Sequence, residues 1–153
     1  MKKVITHDFE DGRGEVSSHQ HINPDKSLGG WVEDNCTVSD DCYISADSRV
    51  YNNSRVDNSR VYNSRVYNSK VKHTKQVFSQ SPIGSRNDKA TAIFDYETEL
   101  IKFSAGCFLG NEQEFIKSIQ ERHGHTEYGS EYLAFIKNAK TYFDIWRDKI
   151  LAA

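Results

Sequence analysis

The chain has 153 residues, 37% hydrophobic and 27% charged, with a formal net charge of −2, which describes one ordinary domain or two small ones in a rather polar globular protein. No apolar run approaches the roughly 20 residues that a membrane-spanning helix needs, and three cysteines, an odd count, argue against a disulfide framework. The small net charge conceals a segregation: residues 1–48 carry four Lys/Arg against ten Asp/Glu, residues 49–75 seven against one, and residues 76–153 nine against eleven.

Such asymmetry points to an anionic partner, or to neighbouring subunits that pair opposite charges. The N-terminal stretch MKKVITHDFEDGRGE turns acidic before any apolar core forms. No signal peptide is expected, and the protein is expected in the cytosol. Residues 1–30 read as a cap segment containing HQHIN (19–23), which is followed by GGWV (29–32) before the hexads. Alternate residues of a strand share a face, so His19 and His21 fall together. One reading makes a histidine the general base of an acyl transfer. Another joins both to Cys36 and Cys42 around zinc, although a six-residue cysteine spacing matches no familiar zinc knuckle. Cys36 and Cys42 are read most simply as filler inside the repeat that follows.

That repeat occupies residues 31–78. Val32, Val38, Ile44, Val50 and Val56 lie six apart, Val61, Val66 and Val71 follow at five, and Val77 closes at six. Two residues before each anchor up to Val71 stands a small side chain: Cys36, Cys42, Ser48, Ser54, Ser59, Ser64 and Ser69 for the anchors from Val38 onward. An aliphatic residue at this period, with a small one two before it, suits short strands wrapped round a narrow interior. The pattern resembles the hexapeptide-repeat left-handed parallel β-helix, in which three repeats make one triangular coil. Pentads then read as hexads short of one corner residue. The four-sided pentapeptide coil fits less well, because its Leu/Phe centre is missing. Asn52, Asn53, Asn58, Asn63 and Asn68 fall at corners, where a left-handed backbone is needed.

Three anchors per coil stack Val32, Val50 and Val66 on one face, Val38, Val56 and Val71 on the second, and Ile44, Val61 and Val77 on the third. Arg49 then lies under Arg65, Arg55 under Lys70, and Tyr51 under Tyr67. Arg49, Arg55, Arg60 and Arg65, interleaved with Tyr62 and the other tyrosines, form columns that either grip nucleic-acid phosphates and stack on bases, or make a solvated face that meets the acidic N-terminal segment of a neighbour. So short a rod needs covering at its ends, and a homo-oligomer is expected.

Residues 79–153 read as a β-β-α-α domain. QVFSQSPIGSRNDK is a connector, ATAIFDY and LIKFSAG form a hairpin across ETE, and Asn111 with Glu114 is a capping box for a helix ending at Gly124. Phe115, Ile116 and Ile119 give that helix an apolar face. A last helix runs from Thr126 or Ser130 to about Lys149, with Tyr132, Phe135, Ile136, Ala139, Tyr142, Phe143 and Trp146 at core spacing. Cys107, placed before the first helix, is either a thiol activated by a helix N-terminus or, more simply, a small buried residue.

HQHIN, GGWV, IGSRND (83–88), GCF (106–108) and HG (123–124) together resemble a family of bacteriophage-encoded hexapeptide-repeat proteins, over nearly the full length. The resemblance implies a phage accessory protein acting in the cytoplasm of an infected bacterium. Arg86, Asn87 and Asp88 concentrate a cation, an amide and a carboxylate in one loop, either as a ligand site or as a hairpin lead-in whose charges pair locally. The function expected is that of an oligomeric, non-enzymatic inhibitor of a bacterial defence system, for example a CRISPR complex. It would bind a host protein, a ribonucleoprotein or a nucleotide-like ligand, with no cofactor, metal or catalytic residue. A hexapeptide-type acyltransferase and a nucleic-acid-binding protein are the alternatives.

Overall fold

Aliphatic anchors at five- and six-residue spacing, flanked by Arg or Lys and broken by Asn-Ser corners, give strands of only two or three residues. The computed structural model describes residues 4–153; the first three residues, with both lysines of the N-terminal stretch, lie outside the described residues. The chain is mixed β and α and divides into two units, Met1–Thr74 and Lys75–Ala153. No helix among the described residues is long and apolar enough to cross a membrane.

In the first unit, β1 (Thr6–Asp8), β2 (Glu15–Ile22) and β3 (Leu28–Glu33) pair antiparallel. There follow β4 (Thr37–Val38), β5 (Tyr43–Ile44), β6 (Arg49–Tyr51), β7 (Arg55–Val56), β8 (Arg60–Val61), β9 (Arg65–Tyr67) and β10 (Lys70–Val71). From β3 to β10 the chain visits three parallel sheets in rotation: β3–β6–β9, β4–β7–β10 and β5–β8. The registers match the expected stacks, with Val32 beside Val50 and Val66, Val38 beside Val56 and Val71, and Ile44 beside Val61.

Seven of these anchors are fully buried. Their neighbours two residues back are buried too, and they satisfy corner amides: Ser54 N–H donates to the Cys36 sulfur (3.3 Å), Ser69 N–H to Ser54 Oγ (3.2 Å) and Ser64 N–H to Ser48 Oγ (3.1 Å). All five corner asparagines have positive φ, between 42° and 58°. The hexad VYNNSR spends two left-handed asparagines on its corner and the pentads spend one, which is how a residue is dropped without disturbing the stack.

Val77 departs from expectation. It opens β11 (Val77–Ile83) and pairs with Ile93 instead of completing the third stack. A 3-10 turn at Thr74–Gln76 ends the repeat, and a seven-residue strand offers more ladder bonds than another two-residue rung. In the second unit β11, β12 (Asp88–Asp95), β13 (Leu100–Ala105) and β14 (Phe108–Gly110) form an antiparallel sheet in sequence order. The expected two-strand hairpin is therefore the centre of a four-stranded sheet. The connector hid an edge strand, since Pro82 is tolerated where no neighbour needs its missing N–H.

The helices fall as the caps predict. In α1 (Glu112–His123), Asn111 Oδ1 accepts the Glu114 N–H at 2.9 Å, Asn111 N–H donates to Glu114 at 3.1 Å, and Gly124 ends the helix. The last helix, α2 (Glu127–Ala152), follows Thr126. Phe94, Phe103, Phe115, Phe135 and Phe143 fill the core between sheet and helices.

Candidate ligand pocket in the C-terminal unit

The histidine motif belongs to the closure of the repeat. Tyr43 and Ser45 donate their N–H groups towards β8, so Ile44, between them, turns its backbone groups to the opposite, unpaired edge of β5. The Asn23 side chain meets it there as a strand would, with Oδ1 accepting the Ile44 N–H (2.8 Å) and Nδ2 donating to its carbonyl (3.2 Å). Buried His21 donates Nε2–H to the Cys42 carbonyl at 2.8 Å. The neighbouring glycines are required by the same approach: a Cβ on Gly29 would stand 2.5 Å from the Ile44 carbonyl oxygen, and one on Gly30 only 1.9 Å from that of Ser48. His19 faces the other way, against Asp34 at 2.7 Å. Cys36 and Cys42 are buried, and burial pushes the Cys36 thiol up to about 11. Among the described residues no three His, Cys, Asp or Glu side chains are grouped so as to share a metal ion.

The Arg/Tyr columns exist in register, with Arg49 beside Arg65, Arg55 beside Lys70 and Tyr51 beside Tyr67, but they point along separate sheets. On the sheet of β6 and β9 the N-terminal segment of the same chain covers them. Glu10 reaches Arg65 (3.6 Å) and Arg49 (4.0 Å), and Phe9 stacks on Tyr51 with ring centroids 5.0 Å apart. Tyr51, Tyr67 and Arg65 are buried, and burial pushes the Tyr51 phenol up to about 12. Nearby, Arg13 grips Glu33 with two bonds (2.8 and 2.9 Å), and Glu33 also accepts the Asn52 N–H. The guanidinium holds that carboxyl below its usual range. Arg55 pairs with Asp57 at 2.8 Å. Arg60 contacts the Tyr62 hydroxyl (3.4 Å), whose ring lies 5.5 Å from that of Tyr43.

The second unit uses its motifs differently. The loop after β11 turns at Gly84 (φ 78°) and Asn87 (φ 50°), so that Ser85, Arg86 and Asp88 line a pocket of about 200 Å³. Asn87 shapes the turn and does not line it. Gly106, Cys107 and Phe108 from the β13–β14 turn, Arg122 and His123 from the end of α1, and Tyr132 from α2 complete the wall. Phe115 and Phe108 stack at 4.8 Å, and His123 lies over Tyr132 at 5.4 Å. IGSRND, GCF and HG, far apart in sequence, thus meet in one place.

Cys107 corrects the expectation of a buried residue: it is exposed. Its neighbour is the last turn of α1, not the first, with Arg122 Nη1 at 3.7 Å from the sulfur. Gly84 N–H donates to Glu131 (2.5 Å), and a Cβ on Gly84 would stand 2.1 Å from the Tyr132 hydroxyl oxygen. Burial first, then Asp88 and Glu131, raises the Tyr132 phenol. Arg13, Arg49, Arg55, Arg65 and Arg147 each have a carboxylate within 4.0 Å. Among the described residues, Arg60, Arg86 and Arg122 have none, and of these three only Arg86 and Arg122 line the pocket.

Sequence reasoning found the Arg86–Asp88 loop and quoted His123 as part of the HG motif without a site role, but missed Arg122 and Tyr132, of which Tyr132 sits in phase with the core of α2. Comparison with known proteins gives no match to a family model, a curated protein or a solved structure.

Proposed function

We propose that the protein is a non-enzymatic binding protein: a short left-handed parallel β-helix serves as a rigid scaffold, and the C-terminal unit recognises a ligand in its pocket. One observation carries this reading: three separate motifs converge on the pocket, whereas the motifs of the first unit are consumed in closing the repeat. The rotation of strands through three sheets and the left-handed asparagine corners support the β-helix. His21 spends its Nε2–H on a backbone carbonyl, which argues against its being the base of an acyltransferase. The carboxylate partners of Arg49, Arg55 and Arg65 argue against a nucleic-acid groove along the repeat.

Together with the sequence resemblance, this supports reading the protein as a phage accessory factor that assembles through its repeat in the host cytoplasm and blunts a defence system, for example a CRISPR complex. The test is phage plating on bacteria that each carry one defence system, with and without the protein. Expression should restore plating against at least one system, and Arg86→Ala with Arg122→Ala should abolish the rescue. Restored plating against none, or full rescue by the double variant, would sink the proposal.

A further inference from the structure

Resting on that reading of the pocket, we infer that its ligand is a sugar phosphate, the ribose-phosphate portion of a nucleotide. Arg86 and Arg122 line one small pocket, and among the described residues neither has a carboxylate within 4.0 Å. A guanidinium presents a planar fork of donors that fits phosphate oxygens in pairs, and such charge-assisted bonds are about twice as strong as neutral ones. Five of the other six arginines meet a carboxylate, and the sixth, Arg60, contacts the Tyr62 hydroxyl; two guanidinium groups that converge on one cavity, neither neutralised by a carboxylate, mark where an anion is supplied from outside.

Asp88 decides what else the ligand carries. It lines the same pocket and would repel a bare anion. Its carboxylate can only accept hydrogen bonds, so it needs a ligand that brings hydroxyl or amino donors beside its anionic group. Ser85 and Ser118 add neutral hydroxyls, and Phe108 and the His123–Tyr132 stack offer apolar faces. A phosphorylated polyol satisfies this set, with the phosphoryl group on the two guanidinium forks and the sugar hydroxyls on Asp88. The volume sets the size. About 200 Å³ falls below the ~300–1,000 Å³ of sites that enclose a drug-sized ligand. A sugar phosphate fits inside, and the base of a nucleotide would rest at the rim.

Isothermal titration of the full chain with ribose 5-phosphate, AMP, adenosine and inorganic phosphate tests the inference. Ribose 5-phosphate and AMP should bind, adenosine should bind at least tenfold more weakly than AMP, and inorganic phosphate more weakly than the sugar phosphate. Tighter AMP than ribose 5-phosphate would identify a nucleotide as the source, and equal affinities a free sugar phosphate. Arg86→Ala and Arg122→Ala should each weaken AMP by about 10- to 100-fold, the loss of a charge-assisted bond. Lysine at either position should restore only part. Asp88→Asn should keep phosphate binding and erase the preference for the sugar.

Both arginines are exposed, so an unchanged circular dichroism spectrum should accompany these losses. Equal binding of adenosine and AMP, or AMP binding that survives both alanines, would overturn the inference. If no probe binds while phage rescue still requires both arginines, the ligand class is wrong and the proposed function stands. If the probes bind as expected and rescue ignores the arginines, the reverse holds.

Discussion

The two units treat their polar side chains in opposite ways. In the repeat almost every conspicuous group is spent on the protein itself: Asn23 and His21 on the free edge of β5, Glu10 on the two stacked arginines, and Arg13 on Glu33. In the C-terminal unit, two guanidinium groups and an exposed thiol line a cavity, and among the described residues neither cation has a carboxylate partner. A buried polar group must be satisfied or it costs stability. A repeat that stacks two-residue strands therefore recruits its neighbours to satisfy it. The sheet and helices of the second unit have a separate apolar core, which leaves polar residues at one rim without structural employment. Motif residues alone do not distinguish scaffold from site. Whether the protein has already used them does.

If the first unit is a scaffold closed by its own motifs, damage there should be large and structural. Gly30→Ala places a methyl group 1.9 Å from the Ser48 carbonyl oxygen and 2.7 Å from that of Ser45. Backbone cannot rotate away as a side chain can, so the cost should be about 3 kcal/mol or more. Hydrogen exchange should show protection lost across β3 to β10. A variant with wild-type protection would mean that β3 does not pass the repeat this closely.

Asn23→Ala comes next. It strips both partners from the Ile44 backbone at a buried site, and each stranded group costs about 1–3 kcal/mol. Asn23→Asp is the sharper variant, because it keeps the acceptor for the Ile44 N–H but turns a carboxylate oxygen towards the Ile44 carbonyl. Denaturant melts should place it with alanine and below wild type. If both match wild type, HQHIN does not close the repeat and a functional role for its histidines reopens.

The repeat could be read from sequence because its physics is local. A valine every five or six residues, a small residue two before it and asparagine at the corner each follow from one rung, and the registers came out as stacked. Val77 shows the limit: it keeps the period but belongs to β11, since a single phase-matched aliphatic residue does not reveal which partner strand wins. β11 itself was hidden by Pro82, which reads as a connector until the strand is known to be at an edge. The pocket was half visible. Arg86 and Asp88 stood in a turn-rich loop, whereas Arg122 and Tyr132 are brought to it by helix packing across more than 30 residues of sequence, and spacing carries no trace of that.

Within the C-terminal unit Gly84→Ala should act on binding more than on folding. Its φ of 78° costs a residue with a Cβ about 1–2 kcal/mol, and the new methyl drives the Tyr132 hydroxyl away from the pocket wall. Titration with AMP should therefore show weaker binding at a temperature where the variant remains folded. Unchanged affinity would mean that Tyr132 is core only, as its helical spacing first suggested.

The smallest effect expected is a pH dependence of the first unit. His7 stacks on Trp31 at 4.7 Å and meets the edge of Phe9 at 4.8 Å, with its Nε2 buried and lacking a hydrogen-bond partner among the described residues. Burial, and then the nearby Arg49, lower its pKa from 6.5. Below 6.5 the unfolded chain thus takes up a proton that folded His7 resists, so stability declines as pH falls from 6.5 towards the folded value and is unaffected above it. Glu33 occupies a separate window. Its pKa is lowered by the Arg13 bond, so its contribution is complete above the ordinary 4.5 and is lost as pH falls through the folded value. His7→Phe should flatten the decline in melting temperature between pH 7.5 and 5.5 and leave the acid limb intact, while Glu33→Gln should do the opposite. If His7→Phe keeps the wild-type slope, the cover over Tyr51 and Arg65 does not depend on a neutral imidazole.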